Sequence, residues 1–107
     1  MKPVLYVDID DTLVRTVSSK RISIDHTVRL VRELSTHAEL YCWSRGGAEY
    51  AREIAIELEV KDCFAAFLPK PDGYVDDVSI AEWAGPQFHP NDVRGLTVDE
   101  LLAKLKR

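Results

Sequence analysis

Residues 3–12 read Pro-Val-Leu-Tyr-Val-Asp-Ile-Asp-Asp-Thr, an apolar run that ends abruptly in carboxylates. A continuous apolar run of this length is typical of a strand buried on both faces, as in a parallel sheet. Asp8, Asp10 and Thr12 alternate along the chain, so they would share one side if the strand continued. The stretch therefore predicts a buried strand with two carboxylates and a hydroxyl at its mouth.

Downstream of this strand, the chain alternates between strand-like and helix-like patterns. The predicted elements are a polar hairpin or flap over 13–23, a helix over 26–36 capped by Asp25, a strand over 39–44, a helical stripe over 48–58, strands over 63–68, 74–75 and 87–89, and a final helix after a Thr97–Glu100 capping box, with Lys104, Lys106 and Arg107 in its last turn. This alternation predicts a three-layer, Rossmann-like α/β fold with a mainly parallel sheet, as one domain over 1–107.

The composition of the chain restricts its environment and partners. It has 107 residues, a net charge of −4 and no long apolar run, and its N-terminus lacks the pattern of a signal peptide. We therefore expect a cytoplasmic protein with no membrane partner and no stable binding to nucleic acid. Cys42 and Cys63 have no paired spacing, which predicts reduced thiols rather than a disulfide or a zinc site.

The two carboxylates after the first strand predict a metal site. Placing Asp8 and Asp10 together costs Coulomb energy, and burial adds a desolvation cost that a divalent cation removes. Hard oxygen ligands favour Mg²⁺ over Zn²⁺. From the residues alone, a surface acidic turn that caps the next element is the alternative interpretation.

The segment Asp8-Ile-Asp-Asp-Thr-Leu13 resembles the first motif of the haloacid dehalogenase-like superfamily of phosphotransferases, Asp-x-Asp-x-Thr at the end of the first strand. The resemblance implies that Asp8 is a nucleophile that becomes an aspartyl-phosphate and that Asp10 is the general acid/base. It also implies that Thr12 fixes the geometry of this phosphate-binding loop.

Three later segments match the remaining motifs of that superfamily in order, so that the resemblance covers residues 4–78. Ser44 ends the predicted second strand and would hydrogen-bond a phosphoryl oxygen, and Lys70 would balance the negative charge there. In Gly73-Tyr-Val-Asp-Asp77, Asp77 would be the Mg²⁺ ligand with Asp76 assisting, beside Asp8 and Asp10. Arg45 is a candidate contact for the substrate, and a surface cation is an equal alternative.

The spacing between motifs departs from that of many superfamily members. Neither the segment before the first predicted helix nor the stretch between Ser44 and Lys70 is long enough for a cap domain, which implies a capless member with an open site. By analogy, such a site serves a macromolecular or bulky phosphoester. The flap carries Arg15, Lys20 and Arg21 and could receive an anionic substrate such as a nucleotide or nucleic-acid end, although a solvated loop is the simpler explanation for these charges.

The leading hypothesis is therefore a Mg²⁺-dependent phosphatase. Two alternatives remain open: a catalytically weak module that binds metal or phosphate, and a receiver-like domain that accepts phosphate on Asp8. Trp43 and Trp83 could stack on a base, although packing is the simpler explanation for both.

Overall fold

A computed structural model describes residues 2–105 as an α/β structure built on a small parallel sheet. The strands are β1 (Val4–Asp8), β2 (Val14–Val17), β3 (Lys20–Ser23), β4 (Glu39–Ser44) and β5 (Ala66–Pro69); the helices are α1 (Asp25–Leu34), α2 (Ala48–Glu57), α3 (Ile80–Trp83) and α4 (Val98–Ala103), with a 3₁₀ turn at Lys61–Cys63. The parallel sheet has the order β1-β4-β5, and β2 and β3 form a separate antiparallel pair. The predicted α/β class and parallel sheet are confirmed at this level.

The two longer helices cover one face of the parallel sheet. Both crossovers step to the neighbouring strand in the same direction, so right-handed connections place α1 and α2 on the same side. Residues on that side pack into one core, which includes Ile9, Val31, Leu40, Cys42 and Ile54. On the opposite face, Val4 and Tyr6 are 43% and 46% exposed. The predicted third layer is therefore not observed among residues 2–105, because these side chains face solvent.

The segment between the carboxylate loop and α1 forms the predicted hairpin, made of β2 and β3. Its turn residues Ser18 and Ser19 have φ values of 48° and 64°, the backbone of a two-residue turn that follows the twist of the strands. The prediction that residues 13–23 lie outside the core is wrong for the first two of them, because Leu13 and Val14 are only 0% and 2% exposed.

Two predicted strands are absent from the described structure. Tyr74 and Val75 lie in an exposed, irregular segment that pairs with no strand of the described structure. The Tyr74 hydroxyl accepts a hydrogen bond from the Ile80 N–H. Residues 87–89 are also irregular, because the carbonyl of His89 accepts from Asp92 and Val93 in a turn. Proline on both sides of this segment removes backbone donors that a strand would need.

Two other predicted boundaries are displaced. The strand expected over 63–68 begins at Ala66, since the 3₁₀ turn occupies Lys61–Cys63. Asp25 is the first residue of α1 and not its N-cap, a position that Ile24 takes without a side-chain bond. The Asp25 carboxylate instead accepts a hydrogen bond of 2.6 Å from the Ser23 hydroxyl.

The C-terminal segment returns to pack against α1. The predicted capping box is confirmed, with Thr97 and Glu100 exchanging side-chain and backbone bonds at the start of α4. Leu101 and Val93 are buried, and His26 Nε2 on α1 lies 2.8 Å from the Pro90 carbonyl oxygen. The helix ends at Ala103 with Lys104 as its C-cap, whereas the predicted positions of Lys106 and Arg107 lie outside the described residues.

The two thiols are free, as predicted. Cys42 is fully buried in β4, and burial, followed by the charge of Asp8, raises the pKa of its thiol to about 12. Along residues 2–105, every helix falls short of the length and apolar character that a membrane crossing needs.

Candidate functional site

The carboxyl ends of β1, β4 and β5 meet at one edge of the parallel sheet, where ligands bind in open α/β sheets. Asp8 is the last residue of β1, Ser44 is the last residue of β4, and Lys70 directly follows β5. The Lys70 N–H donates to the Ser44 carbonyl oxygen over 2.9 Å, which fixes the backbone of Lys70 against the central strand. Three residues predicted for the site are thus brought to the same edge.

A tight turn after β1 carries the rest of the first motif. The carbonyl oxygen of Ile9 accepts from the N–H groups of Thr12 and Leu13 over 3.2 and 2.8 Å. Asp11 lies in the left-handed region with a φ of 62°, which aspartate tolerates better than most residues. The buried hydroxyl of Thr27, on α1, donates to the Thr12 carbonyl and anchors the turn to the helical layer. No pattern in the sequence indicates this role of Thr27.

Asp8 is held by one partner on each carboxylate oxygen. Thr12 Oγ1 donates to Asp8 Oδ2 over 3.1 Å, and Lys70 Nζ lies 3.2 Å from Asp8 Oδ1. The side chains of Lys70 and Asp8 are 30% and 28% exposed, so the pair is partly shielded from water and remains accessible. The arrangement presents a carboxylate whose charge is balanced by a cation from another strand.

Asp10 has a partner that the sequence did not reveal. The phenol of Tyr50, in the first turn of α2, donates to Asp10 Oδ1 over 2.7 Å. Burial, and next the bond to Asp10, raises the pKa of Tyr50 above its ordinary value, so the phenol remains a donor at neutral pH. A Cβ at Gly46 would lie 2.8 Å from the Tyr50 ring, so the ring fits because position 46 lacks a side chain. A tyrosine at the start of a helix gives no sequence signal for this contact.

Ser44 and Arg45 are placed differently from each other. Ser44 is 1% exposed, and its Oγ accepts a hydrogen bond of 3.0 Å from the Gly46 N–H. The hydroxyl proton of Ser44 is therefore available for a further acceptor at this strand end. Arg45 is exposed at the turn into α2.

Trp43 contributes to the site from the side opposite the helices. It is paired in register with Asp8, so both side chains leave the sheet on the same face. Lys70 Nζ lies 5.7 Å from the centre of the Trp43 ring, within the range of a cation–π contact. Trp43 thus supports the lysine that contacts Asp8, a role beyond the simple packing expected of it.

The predicted acidic pair Asp76 and Asp77 lies in the exposed segment after Lys70. Asp76 Oδ1 accepts from the Val78 N–H over 3.1 Å, which closes a local turn. Across residues 2–105, no group of three or more His, Cys, Asp or Glu side chains is assembled in a way that could hold a metal ion. Asp8 and Asp10 supply oxygen donors of the type Mg²⁺ prefers, and Asp76 and Asp77 are not gathered with them.

No protein-family model matches this chain, and no curated protein or solved structure matches it either.

Proposed function

We propose that the chain hydrolyses phosphate monoesters through an aspartyl-phosphate on Asp8. The observation that carries this proposal is the contact of Asp8 with Thr12 and Lys70 at the carboxyl edge of the sheet. The Thr12 hydroxyl orients the Asp8 carboxylate as a nucleophile would have to be oriented. The Lys70 ammonium group beside it supplies the positive charge that a phosphoryl anion would bind. The order of the four motifs along residues 4–78 supports the same reaction.

In the first step, an Asp8 carboxylate oxygen attacks phosphorus and the bond from phosphorus to the leaving oxygen breaks. Asp10 donates a proton to that oxygen, so the product leaves as an alcohol. Lys70 Nζ, now 3.2 Å from Asp8, offsets the negative charge that the phosphoryl group brings to the carboxylate. The Ser44 hydroxyl and Arg45 are proposed as further contacts of the phosphoryl oxygens.

In the second step, Asp10 removes a proton from a water molecule that attacks the same phosphorus. The bond from phosphorus to Asp8 breaks, inorganic phosphate leaves, and the Asp8 carboxylate is restored. Tyr50, which donates to Asp10 over 2.7 Å, holds the carboxylate in place between these two proton transfers.

The donor chemistry of Asp8 and Asp10 fits Mg²⁺, and we propose both as its ligands together with Asp77 and Asp76. Bound there, the ion would supply positive charge that lowers the repulsion between the substrate and the carboxylates. Asp76 and Asp77 lie in an exposed segment, so ligation by them requires a rearrangement of the chain after Lys70.

We infer a Rossmann-like, haloacid dehalogenase-like fold without a cap as the architecture behind this activity. The segment between Thr12 and α1 holds only the β2–β3 hairpin, which leaves the carboxyl edge accessible to bulky substrates. Arg15 and Lys20 on that hairpin are exposed and would favour the approach of an anion, whereas the charge of exposed Arg21 is paired with Glu57 over 3.4 Å.

The test is Mg²⁺-dependent release of inorganic phosphate from a panel of phosphomonoesters. We expect activity in the native protein and a loss on the order of a thousand-fold or more in Asp8→Asn, because an amide cannot attack phosphorus. Asp62→Asn is the matched control, since the Asp62 side chain is 99% exposed and its salt bridge joins it to Lys61, away from the carboxyl edge.

Full activity in Asp8→Asn would refute the mechanism. A second candidate is a module that binds metal or phosphate with little turnover, and its low turnover is what the separation of Asp76 and Asp77 from Asp8 and Asp10 favours. Calorimetric binding of Mg²⁺ or phosphate without hydrolysis of any substrate would select this second candidate.

A further inference from the structure

The solvent-facing side of the parallel sheet carries a cluster of aromatic rings. Tyr6 is paired in register with Tyr41, and Asp8 with Trp43, so these four side chains leave the sheet on one face. The ring centres of Tyr6 and Tyr41 are 5.3 Å apart, and those of Tyr6 and Trp43 are 4.8 Å apart with the rings nearly perpendicular. We call Tyr6, Tyr41 and Trp43 the aromatic face.

The aromatic face is both ordered and accessible. Tyr6 remains 46% exposed at its centre, although exposed aromatic surface is costly in water. The Tyr41 hydroxyl donates to Glu39 Oε1 over 2.8 Å, and this bond raises the pKa of Tyr41 so that the phenol stays neutral. The polar rim formed by Glu39 and the phenol groups offers hydrogen-bond acceptors and donors beside the rings.

The aromatic face is continuous with the proposed phosphoryl site. Lys70 Nζ is 3.2 Å from Asp8 Oδ1 and 5.7 Å from the Trp43 ring centre, so the same ammonium group contacts the proposed phosphoryl site and the aromatic face. Tyr6 precedes Asp8 by two residues, which places its backbone about 7 Å from that of Asp8 along the strand. A ligand that reaches from Lys70 across this face must therefore join an anionic group to a flat, stacking group through a short spacer.

We propose that the aromatic face binds the base of a nucleoside monophosphate whose phosphate lies at Asp8 and Lys70. This inference rests on the proposed function and names its substrate class. Any nucleic-acid base can stack on an aromatic side chain, and the sugar supplies the short spacer between base and phosphate. The net charge of −4 opposes a polyanion, which favours a mononucleotide over a nucleic-acid strand.

The binding test uses a fluorescence titration of the Trp83→Phe protein, in which Trp43 is the remaining tryptophan of the two in the sequence. Adenosine 5′-monophosphate and ribose 5-phosphate are compared without Mg²⁺, so that affinity is measured apart from turnover. We expect quenching of Trp43 and an affinity about ten-fold higher for the nucleotide, since one stacked base contributes roughly that factor.

The control variants separate the aromatic face from general effects. Tyr6→Leu keeps an apolar side chain but should make the affinities for the nucleotide and for ribose 5-phosphate about equal. Tyr74→Leu, on the exposed segment after Lys70, should retain the preference for the nucleotide. Equal affinities in the parent protein, or a preference that survives in Tyr6→Leu, would overturn the inference. Thermal melting of each variant shows whether it is folded.

Hydrolysis of the same two ligands with Mg²⁺ distinguishes the two proposals. If both are hydrolysed with equal kcat/KM, the phosphatase stands and the aromatic face has no role in substrate choice. If the nucleotide binds preferentially and no phosphomonoester of the panel is hydrolysed, the aromatic face is supported and the phosphatase fails.

Discussion

Among single side chains, Tyr50 contributes to the proposed reaction through another residue, Asp10. Its phenol donates to Asp10 over 2.7 Å, and it stays protonated at neutral pH because burial and this bond raise its pKa. In the two-step reaction, Asp10 must first donate a proton to the leaving oxygen and then remove a proton from a water molecule, both from nearly the same position. We infer that Tyr50 keeps the carboxylate in that position.

We predict that Tyr50→Phe lowers kcat by about ten-fold and leaves KM nearly unchanged, as the loss of a hydrogen bond to a charged group implies. The measurement is steady-state hydrolysis of the best phosphomonoester, with thermal melting to show an intact fold. Tyr74→Phe removes an exposed hydroxyl elsewhere and should leave kcat unchanged. A rise in KM without a fall in kcat would contradict the positioning role.

The contacts of single residues were predictable from the sequence where a strand end fixes the position. Asp8 and Lys70 were both expected at the same edge, and the parallel order of β1, β4 and β5 brings them within 3.2 Å. Tyr50 and Thr27 could not be identified, because their bonds join residues whose separation depends on how α1 and α2 pack. A pattern in one element does not contain that information.

The start of α4 offers a prediction about acid stability. Glu100 Oε1 accepts from the Thr97 N–H over 3.1 Å, and the hydrogen bonds with Thr97 lower the pKa of Glu100 below its ordinary 4.5. A carboxyl group with a lowered pKa stabilises the fold above its unfolded pKa and loses this contribution as the pH falls through the folded value. The capping box should therefore weaken below pH 4.5.

We expect Glu100→Ala to lower the urea midpoint at pH 7, and to have a progressively smaller effect as the pH falls below 4.5 and the native carboxyl becomes protonated. Asp99→Ala is the control, because Asp99 shares the first turn of α4 but lies outside the capping box. Equal losses for the two variants at pH 7 would show that the acidic turn, rather than the box, provides the stability.

Elements were predictable from sequence where local signals and tertiary partners agree. The bounds of β4 are those expected, and α2 differs from its predicted range by one residue. Residues 74–75 carry a strand-like pattern, but a strand also needs a neighbour with free backbone groups, and Tyr74 instead bonds with Ile80. Periodicity describes which face would be buried; it does not show that a partner strand is present.

In the molecule as a whole, Leu13 joins the site to the core. It is 0% exposed, its N–H donates to Ile9, and its carbonyl oxygen accepts from Ile24 just before α1. The same residue that ends the carboxylate turn therefore also packs the helical layer. Leu13 was expected in a polar flap, because the Arg and Ser residues that follow it in the sequence hide its role.

We predict that Leu13→Ala lowers the free energy of unfolding by about 2–5 kcal/mol, because it removes a fully buried side chain and leaves a cavity. This is a large part of the roughly 5–15 kcal/mol that stabilises a domain. Urea denaturation followed by circular dichroism measures the change. Ile22→Ala on β3 is the control, since Ile22 is 52% exposed and should cost far less. An unchanged midpoint in Leu13→Ala would show that the core does not depend on this residue.

The lack of space between Gly46 and Tyr50 also limits how this chain can diverge over evolution. A side chain at position 46 would place its Cβ 2.8 Å from the ring of Tyr50, so a lineage that acquires alanine there must also move or replace the ring. Either change disturbs the donor that contacts Asp10. Descendants that keep Tyr50 in contact with Asp10 should therefore also keep Gly46, and this one-way dependence would mark their common ancestry after the surrounding sequence has drifted.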